Sequence, residues 1–382
     1  MAQMQNRLTS LDALRGFNLF FLVAFGPVVL NFCNGVPNGI MDWFFTPLSQ
    51  LLRHEEWEGL TPWDTIMPLF MFMSCASIPF SMARFRREKD YGAYLRRVSR
   101  RVVLLWLLGF IIQGSVRDLN PDRIYVFTNT LQSIAVAYLV ASLLFMFCKL
   151  RTQIITFVLL LLAYWGAMEF ISVDGFGGGQ YGPDNNLAEW IDRVVLGRFR
   201  DGAMLQPDGT VAFAPWYTNT WILSSLTFAA TGLAGLFCGT ICKSASLTPK
   251  KKGLWLLGIG AALTVAGWAW NIEMPVIKRI WTSSMCLVAA GYSFLLMALF
   301  FWWYDIKGKT TCLEFLRTYG LNSLVAYTLE EMINFKSIPH SLFYGLEQYI
   351  GAFYPFVLAL GQAIVIYLIL LAMKRLNIFI KV

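Results

Sequence analysis

Long apolar runs separated by short polar segments fill most of this 382-residue chain. A membrane-spanning helix needs about 20 mostly apolar residues. Ten runs approach or exceed that length: 12–33, 62–82, 98–115, 125–148, 153–171, 218–241, 253–270, 280–304, 312–333 and 351–373. A short link around Lys149–Gln153 joins the fourth and fifth, and Arg317, Asn322 and Ser323 interrupt the ninth. The pattern predicts an all-α, polytopic membrane protein of about ten transmembrane helices, with residues 1–382 forming one transmembrane domain.

The basic residues set an orientation. With both termini cytoplasmic, 22 of the 31 Lys and Arg residues fall on the inner side, eight of them between Arg84 and Arg101. Short cytoplasmic loops concentrate Lys and Arg in this way. The composition agrees: 57% hydrophobic and only 14% charged, against about 25% charged in a soluble domain. A disordered chain, a nucleic-acid-binding domain and a secreted disulfide scaffold are thereby excluded. The net charge of +8 belongs to topology rather than to a nucleic-acid partner. The 16% aromatic content fits anchoring belts at the two membrane surfaces. The first apolar run starts with Asp12 and Arg15 and has no small-residue cleavage site, so it reads as a retained helix. Seven cysteines lie mostly within spans or at their ends, with no CxxC or Cys/His metal spacing.

Two long segments face outward in this topology, 34–61 and 172–217, and long loops with their own turn chemistry are often functional. The first contains His54, one of only two histidines. In isolation it is an exposed loop histidine or a general base, whose basicity the neighbouring Glu55, Glu56, Glu58 and Asp64 can raise. Asp64 falls in the first turns of a span, where a carboxylate either caps the helix or orients the imidazole. His340, in a later outer loop, has weaker surroundings and reads as structural.

Further polar groups lie within or near the spans. Asp12 and Arg15 can pair at i, i+3 at the cytoplasmic mouth of the first span. Asn129, Gln132, Ser224, Ser225, Ser283, Ser284, Asn322 and Ser323 are either interhelical glue or the lining of a polar internal cavity, and Glu330 and Glu331 read as a solvated rim. The basic loop Arg84–Arg101 is a topogenic signal that can also attract the phosphates of a nucleotide-containing donor.

Several blocks together resemble a known family. The opening Arg7-Leu8-Thr9-Ser10-Leu11-Asp12-Ala13-Leu14-Arg15-Gly16 is similar to the start of the membrane core of the heparan-α-glucosaminide N-acetyltransferase family. Its most diagnostic stretch resembles His54-x-x-Trp57-x-Gly59-Leu60-Thr61-x-x-Asp64, followed by Pro68, Phe70, Phe72 and Ser77. Leu131-Gln132 with Ile134-Ala135-Val136, Ile191-Asp192-Arg193 with Leu196-Gly197, and Pro275 through Lys278 to Trp281-Thr282-Ser283-Ser284 also match. So does Gly320-Leu321-Asn322-Ser323-Leu324-Val325-Ala326-Tyr327. The matches run in order along nearly the whole chain. Gly26-Pro27 stands where the animal enzyme has an asparagine, Ser133 where an arginine commonly follows Leu-Gln, and Cys75 where a glycine is usual.

The resemblance implies a transmembrane acyltransferase that moves an acetyl group from cytosolic acetyl-CoA, a co-substrate, to an amino sugar across a bacterial inner membrane. No metal is expected. The family's catalytic histidine carries over to His54, with Asp64 as its partner. Asp12, Arg15, Asn129, Gln132, Ser283, Ser284, Asn322 and Ser323 are the candidates for holding the donor in an internal passage. A homodimer is a candidate assembly. Two other readings use the same residues: a transporter of a sugar or lipid-linked metabolite, and an O-acetyltransferase of an envelope glycan.

Overall fold

The computed structural model describes residues 8–37, 39–215 and 218–380. Arg7 of the opening motif, Asn38, and the Trp216–Tyr217 pair of the second outer segment lie outside the described residues. The chain is predominantly helical, and eight of its described helices are long and apolar enough to cross a membrane: Thr9–Gly35, Trp63–Glu88, Thr130–Phe147, Leu150–Phe170, Ser225–Lys243, Pro249–Trp270, Ser283–Ile306 and Ser337–Arg375. These match eight of the ten expected runs. The run at 98–115 forms the helix Tyr91–Gln113, but Arg96, Arg97, Arg100 and Arg101 load its first half with charge. The run at 312–333 divides at Asn322 into Leu313–Leu321 and Ser323–Met332, each too short to span alone.

The contacts cluster into two compact units. One comprises residues 1–55, 61–66 and 299–382, the other 56–60 and 67–298.

In the first unit, the first span is a composite. The α-helix Thr9–Phe20 passes through a π-turn at Phe21–Phe25 into the helix Gly26–Gly35. Pro27 explains the irregularity, because it lacks an N–H and its ring crowds the preceding turn. Gly16 and Gly320 let two helices approach closely. A Cβ on Gly16 would lie 1.8 Å from the Leu316 carbonyl oxygen, and one on Gly320 would lie 2.6 Å from that of Asp12. Close backbone packing of this kind is how helices associate where lipid removes the hydrophobic drive. Around that crossing, the rings of Phe17 and Phe300 and of Phe20, Phe315 and Tyr319 pack together.

The second unit is organised on Ser225–Lys243, the spine of its core. Gly235 and Gly239, one turn apart, face the carbonyls of Phe72 and Ala76, also one turn apart. A Cβ at either glycine would come within 2.1 Å of the opposing oxygen. The segment between Leu150–Phe170 and Ser225–Lys243 holds two short hairpins, Ser172–Val173 with Phe176–Gly177 and Ala203–Leu205 with Val211–Phe213. It also holds the helix Leu187–Leu196. Glu189 on that helix pairs with Arg193 at 2.7 Å and with the fully buried Arg200. Asp192 accepts the backbone N–H groups of Trp221 and Ile222 at 2.8 and 2.9 Å. Residues 56–60 belong to this unit through similar bonds. The Trp57 indole donates to the Tyr181 carbonyl at 2.9 Å, and the Gly59 N–H to that of Val276 at 2.8 Å. Gly59 has φ +117°, a conformation that excludes most other residues, so the Trp-x-Gly spacing has a backbone reason.

Candidate active site

In the first unit, the chain turns into its second span through Thr61-Pro62-Trp63-Asp64. Thr61 and Asp64 form a reciprocal cap. The Asp64 N–H points to Thr61 Oγ1 at 3.3 Å, and Asp64 Oδ2 accepts the Thr61 N–H at 3.2 Å. This is capping-box geometry with an aspartate in the glutamate position. Pro62 sits in the first turn, where a missing N–H costs little. Asp64 Oδ2 also accepts the Glu55 N–H at 3.1 Å and lies 3.0 Å from Thr61 Oγ1, which in turn lies 2.8 Å from the Arg53 carbonyl oxygen. One carboxylate oxygen thus holds both ends of the loop 55–61.

The other oxygen holds the histidine. Asp64 Oδ1 lies 2.7 Å from His54 Nδ1. Asp64 is 1% exposed and the imidazole 52% exposed, so a buried carboxylate orients a ring that still reaches solvent. An ionised carboxylate only accepts, so Nδ1 carries the proton and Nε2 is the basic nitrogen of the neutral ring. Such a dyad can take a proton from an incoming nucleophile while the carboxylate steadies the imidazolium that forms. The cap thus falls on one oxygen of Asp64 and the contact with the imidazole on the other.

Three neighbours pack around this turn: Asn18 and Trp63, which the sequence did not single out, and Gly26, which it marked only as a departure from the family pattern. Asn18, buried in the first span, donates its side-chain amide to the Ile66 carbonyl at 3.0 Å and so fixes the turn that carries Asp64. Trp63 stands beside the imidazole, with ring centroids 6.4 Å apart. Gly26 makes room for Trp63, since a Cβ there would lie 2.0 Å from its ring. Any larger residue at position 26 would therefore displace Trp63. The threonine-x-x-aspartate spacing was the available signal for the cap; nothing in the sequence marked Asn18.

The remaining candidates divide between the units. In the first unit, Asp12 and Arg15 form an ion pair at 3.8 Å, consistent with an interfacial pair. Asn322 binds the Ile378 carbonyl at 3.0 Å and the Ile380 N–H at 3.1 Å, tying down the C-terminal segment. Ser323 is half-buried at the start of its helix. In the second unit, Asn129 and Gln132 form a capping box. Asn129 Oδ1 accepts from the Leu131 N–H at 2.7 Å, and Gln132 Oε1 accepts from Thr128 and Asn129 at 2.8 and 3.0 Å. The buried Asn129 Nδ2 is left without an acceptor. Ser283 donates to the Leu161 carbonyl at 2.8 Å, and Ser284 to that of Pro275 at 3.0 Å. Ser133 back-bonds to the Asn129 carbonyl at 3.4 Å. Glu55, Glu56 and Glu58 are exposed, and Asp64 is the acid whose side chain lies at hydrogen-bond distance from the imidazole. His340 lies against the rings of Tyr344 and Tyr354. No group of three or more His, Cys, Asp or Glu side chains suited to a metal occurs among the described residues.

No family model matches the chain. It is similar to two curated proteins named heparan-alpha-glucosaminide N-acetyltransferase. The mouse protein is 25% identical over 374 residues, covering 86% of this chain and 54% of its own length. The human protein is 26% identical over 372 residues, covering 85% and 53%. The chain therefore spans about half the length of the curated relatives it matches. At 25–26% identity over about 85% of the chain, the similarity agrees in direction with the motif resemblance to the heparan-α-glucosaminide N-acetyltransferases.

Proposed function

We propose that this integral membrane protein is an acetyltransferase. It moves an acetyl group from cytosolic acetyl-CoA to the amino group of a terminal glucosamine-type sugar on the opposite face of a bacterial inner membrane. The whole chain acts as one transmembrane acyltransferase domain of ten spans, with both termini cytoplasmic and the segments 34–61 and 172–217 outward. The observation that carries the reading is the 2.7 Å contact between a half-exposed imidazole and a buried carboxylate that is itself fixed by the loop 55–61. The names of its relatives supply the reaction class.

In this mechanism His54 Nε2 removes a proton from the acceptor amine as its nitrogen attacks the thioester carbonyl. The new C–N bond forms, the C–S bond breaks with its electron pair leaving on sulfur, and the His54 imidazolium returns the proton to the thiolate, releasing the thiol and restoring the neutral ring. Asp64 keeps the ring in the competent tautomer and balances the imidazolium. General-base assistance of this kind contributes about 10²–10⁴-fold. Trp63 stands beside the imidazole as a flat apolar surface against which a sugar ring can rest. A homodimer is part of the proposal only as an assembly, since the dyad lies within one chain.

The test is product analysis. The purified chain in lipid nanodiscs is incubated with acetyl-CoA and a panel of glucosamine-bearing and neutral glycans, and the products are read by mass spectrometry. N-acetylated amino sugar is the expected result. Acetyl esters alone would replace the amine by a hydroxyl acceptor. Absence of acetyl-CoA binding, hydrolysis and transfer would overturn the reading in favour of transport.

A further inference from the structure

Arg101 is the eleventh of the 23 residues of Tyr91–Gln113. Its Nη2 donates to Ser74 Oγ at 3.1 Å, and its Cζ lies 4.1 Å from the centre of the Tyr138 ring. Ser74 is the twelfth of the 26 residues of Trp63–Glu88, and Tyr138 the ninth of the 18 residues of Thr130–Phe147. The guanidinium is therefore held near the middle of three helices, and Arg101, Ser74 and Tyr138 all belong to the second unit. A permanent cation at that depth needs a counter-charge or a polar cavity.

No carboxylate among the described residues forms an ion pair with Arg101, and its Nε–H is buried without an acceptor. One turn along from Tyr138, Ser142 Oγ is also buried without a partner. Tyr94, two turns before Arg101 on the same helix face, donates its hydroxyl to the Ser142 carbonyl at 2.7 Å. The ring of Tyr138 satisfies one face of the guanidinium and Ser74 one N–H. The Nε edge, which forms part of the fork that grips oxyanions, remains. Other arginines of the basic segment are engaged elsewhere: Arg84 with Glu88, Arg86 over Phe145 and Arg97 over Phe85.

We infer that Arg101, with Ser74, Tyr138 and Ser142, forms an internal site for a phosphate-type oxyanion, entered from the end of the second unit that carries the basic segment. Two sources share this chemistry. If the acetyltransferase reading holds, on which this identification of the source rests, the anion is a phosphate of the CoA donor. The other source is the headgroup of an anionic phospholipid.

The experiment uses the purified full chain in nanodiscs of phosphatidylcholine, with or without phosphatidylglycerol. Binding of pyrophosphate, CoA and phosphate-free pantetheine is followed by thermal shift and calorimetry. Pyrophosphate and CoA, but not pantetheine, are expected to stabilise the wild type, and Arg101→Gln to weaken both by at least about tenfold. Stabilisation by phosphatidylglycerol that Arg101→Gln removes, with pyrophosphate and CoA unaffected, assigns the same site to lipid phosphate. Arg101→Lys keeps a charge over Tyr138 but has no planar fork, so it is expected to bind more weakly than wild type, and it serves if the Gln variant does not fold. Wild-type affinity for pyrophosphate, CoA and phosphatidylglycerol in a folded Arg101 variant overturns the site. Pyrophosphate binding without CoA binding would sink the donor reading while leaving the oxyanion site standing.

Discussion

Asp64 and Asp192 are both buried aspartates whose oxygens accept backbone N–H groups, and they differ in what the second oxygen does. Asp192 gives both oxygens to the main chain, one to Trp221 and one to Ile222. It is a fastener for the outer segment of the second unit. Asp64 gives Oδ2 to Glu55 and Thr61 and keeps Oδ1 for His54. The same burial and the same kind of donor thus build a clasp in one unit and a held imidazole in the other. Burial of a carboxylate is not by itself a sign of chemistry; a titratable partner that reaches solvent is what separates the two.

The comparison predicts different failures. Asp64→Asn should have the largest effect. It presents an amide where Nδ1–H needs an acceptor, or forces the other tautomer, and acetyl transfer should fall by about 10²-fold or more with a smaller loss of stability. If transfer survives within a few-fold, Asp64 is a cap only. Asp192→Ala should do the reverse. The buried Trp221 N–H left without an acceptor costs about 1–3 kcal/mol, and the part-buried Ile222 N–H adds less. Thermal unfolding should therefore move well before activity per folded molecule does, and a purely catalytic defect would erase the distinction. Gly26→Ala forces a Cβ against Trp63 and should cost about 1–3 kcal/mol by overpacking. A several-fold drop in turnover should accompany it, because Trp63 adjoins both Asp64 and the imidazole.

The smallest effect is on pH dependence. Burial pushes the Asp192 carboxyl up to about 7, against the opposing pull of the Ile222 and Trp221 N–H groups and of Arg200. The folded state then holds a proton that the unfolded chain has already released between about pH 4 and 7. The stabilising contribution of this group is full at the acidic end and is lost as pH rises through about 7. Melting across that range should show the decline, and Asp192→Asn should flatten it.

Much of the scaffold was legible in the sequence because a bilayer imposes length and apolarity, which a single sequence displays directly. Two expected spans could not be settled that way. The arginines of Tyr91–Gln113 and the break at Asn322 are visible as residues, but whether neighbours accommodate them is a matter of packing. His54 and Asp64 were legible from chemistry and motif together, and their contact is the one candidate pairing of the site that is short and half-buried. Asn129, Gln132, Ser283, Ser284 and Asn322 looked equally polar in the sequence, yet each bonds to nearby backbone. The direction of a polar side chain depends on which carbonyl lies across from it, and linear order does not encode that. Asn18 and Trp63 were missed for the same reason, and Gly26 was noted only as a departure from the family pattern, since their packing exists only once the first span meets the turn at Asp64.

The central claim is that one imidazole, oriented by a buried carboxylate, removes the proton that allows acetyl transfer. Single-turnover transfer from labelled acetyl-CoA to an amino-sugar acceptor should be compared between the wild type and His54→Ala, in nanodiscs and at matched melting temperature. The account predicts loss of transfer by about 10²–10⁴-fold with donor binding retained. Near-normal transfer by a folded His54→Ala variant would contradict it.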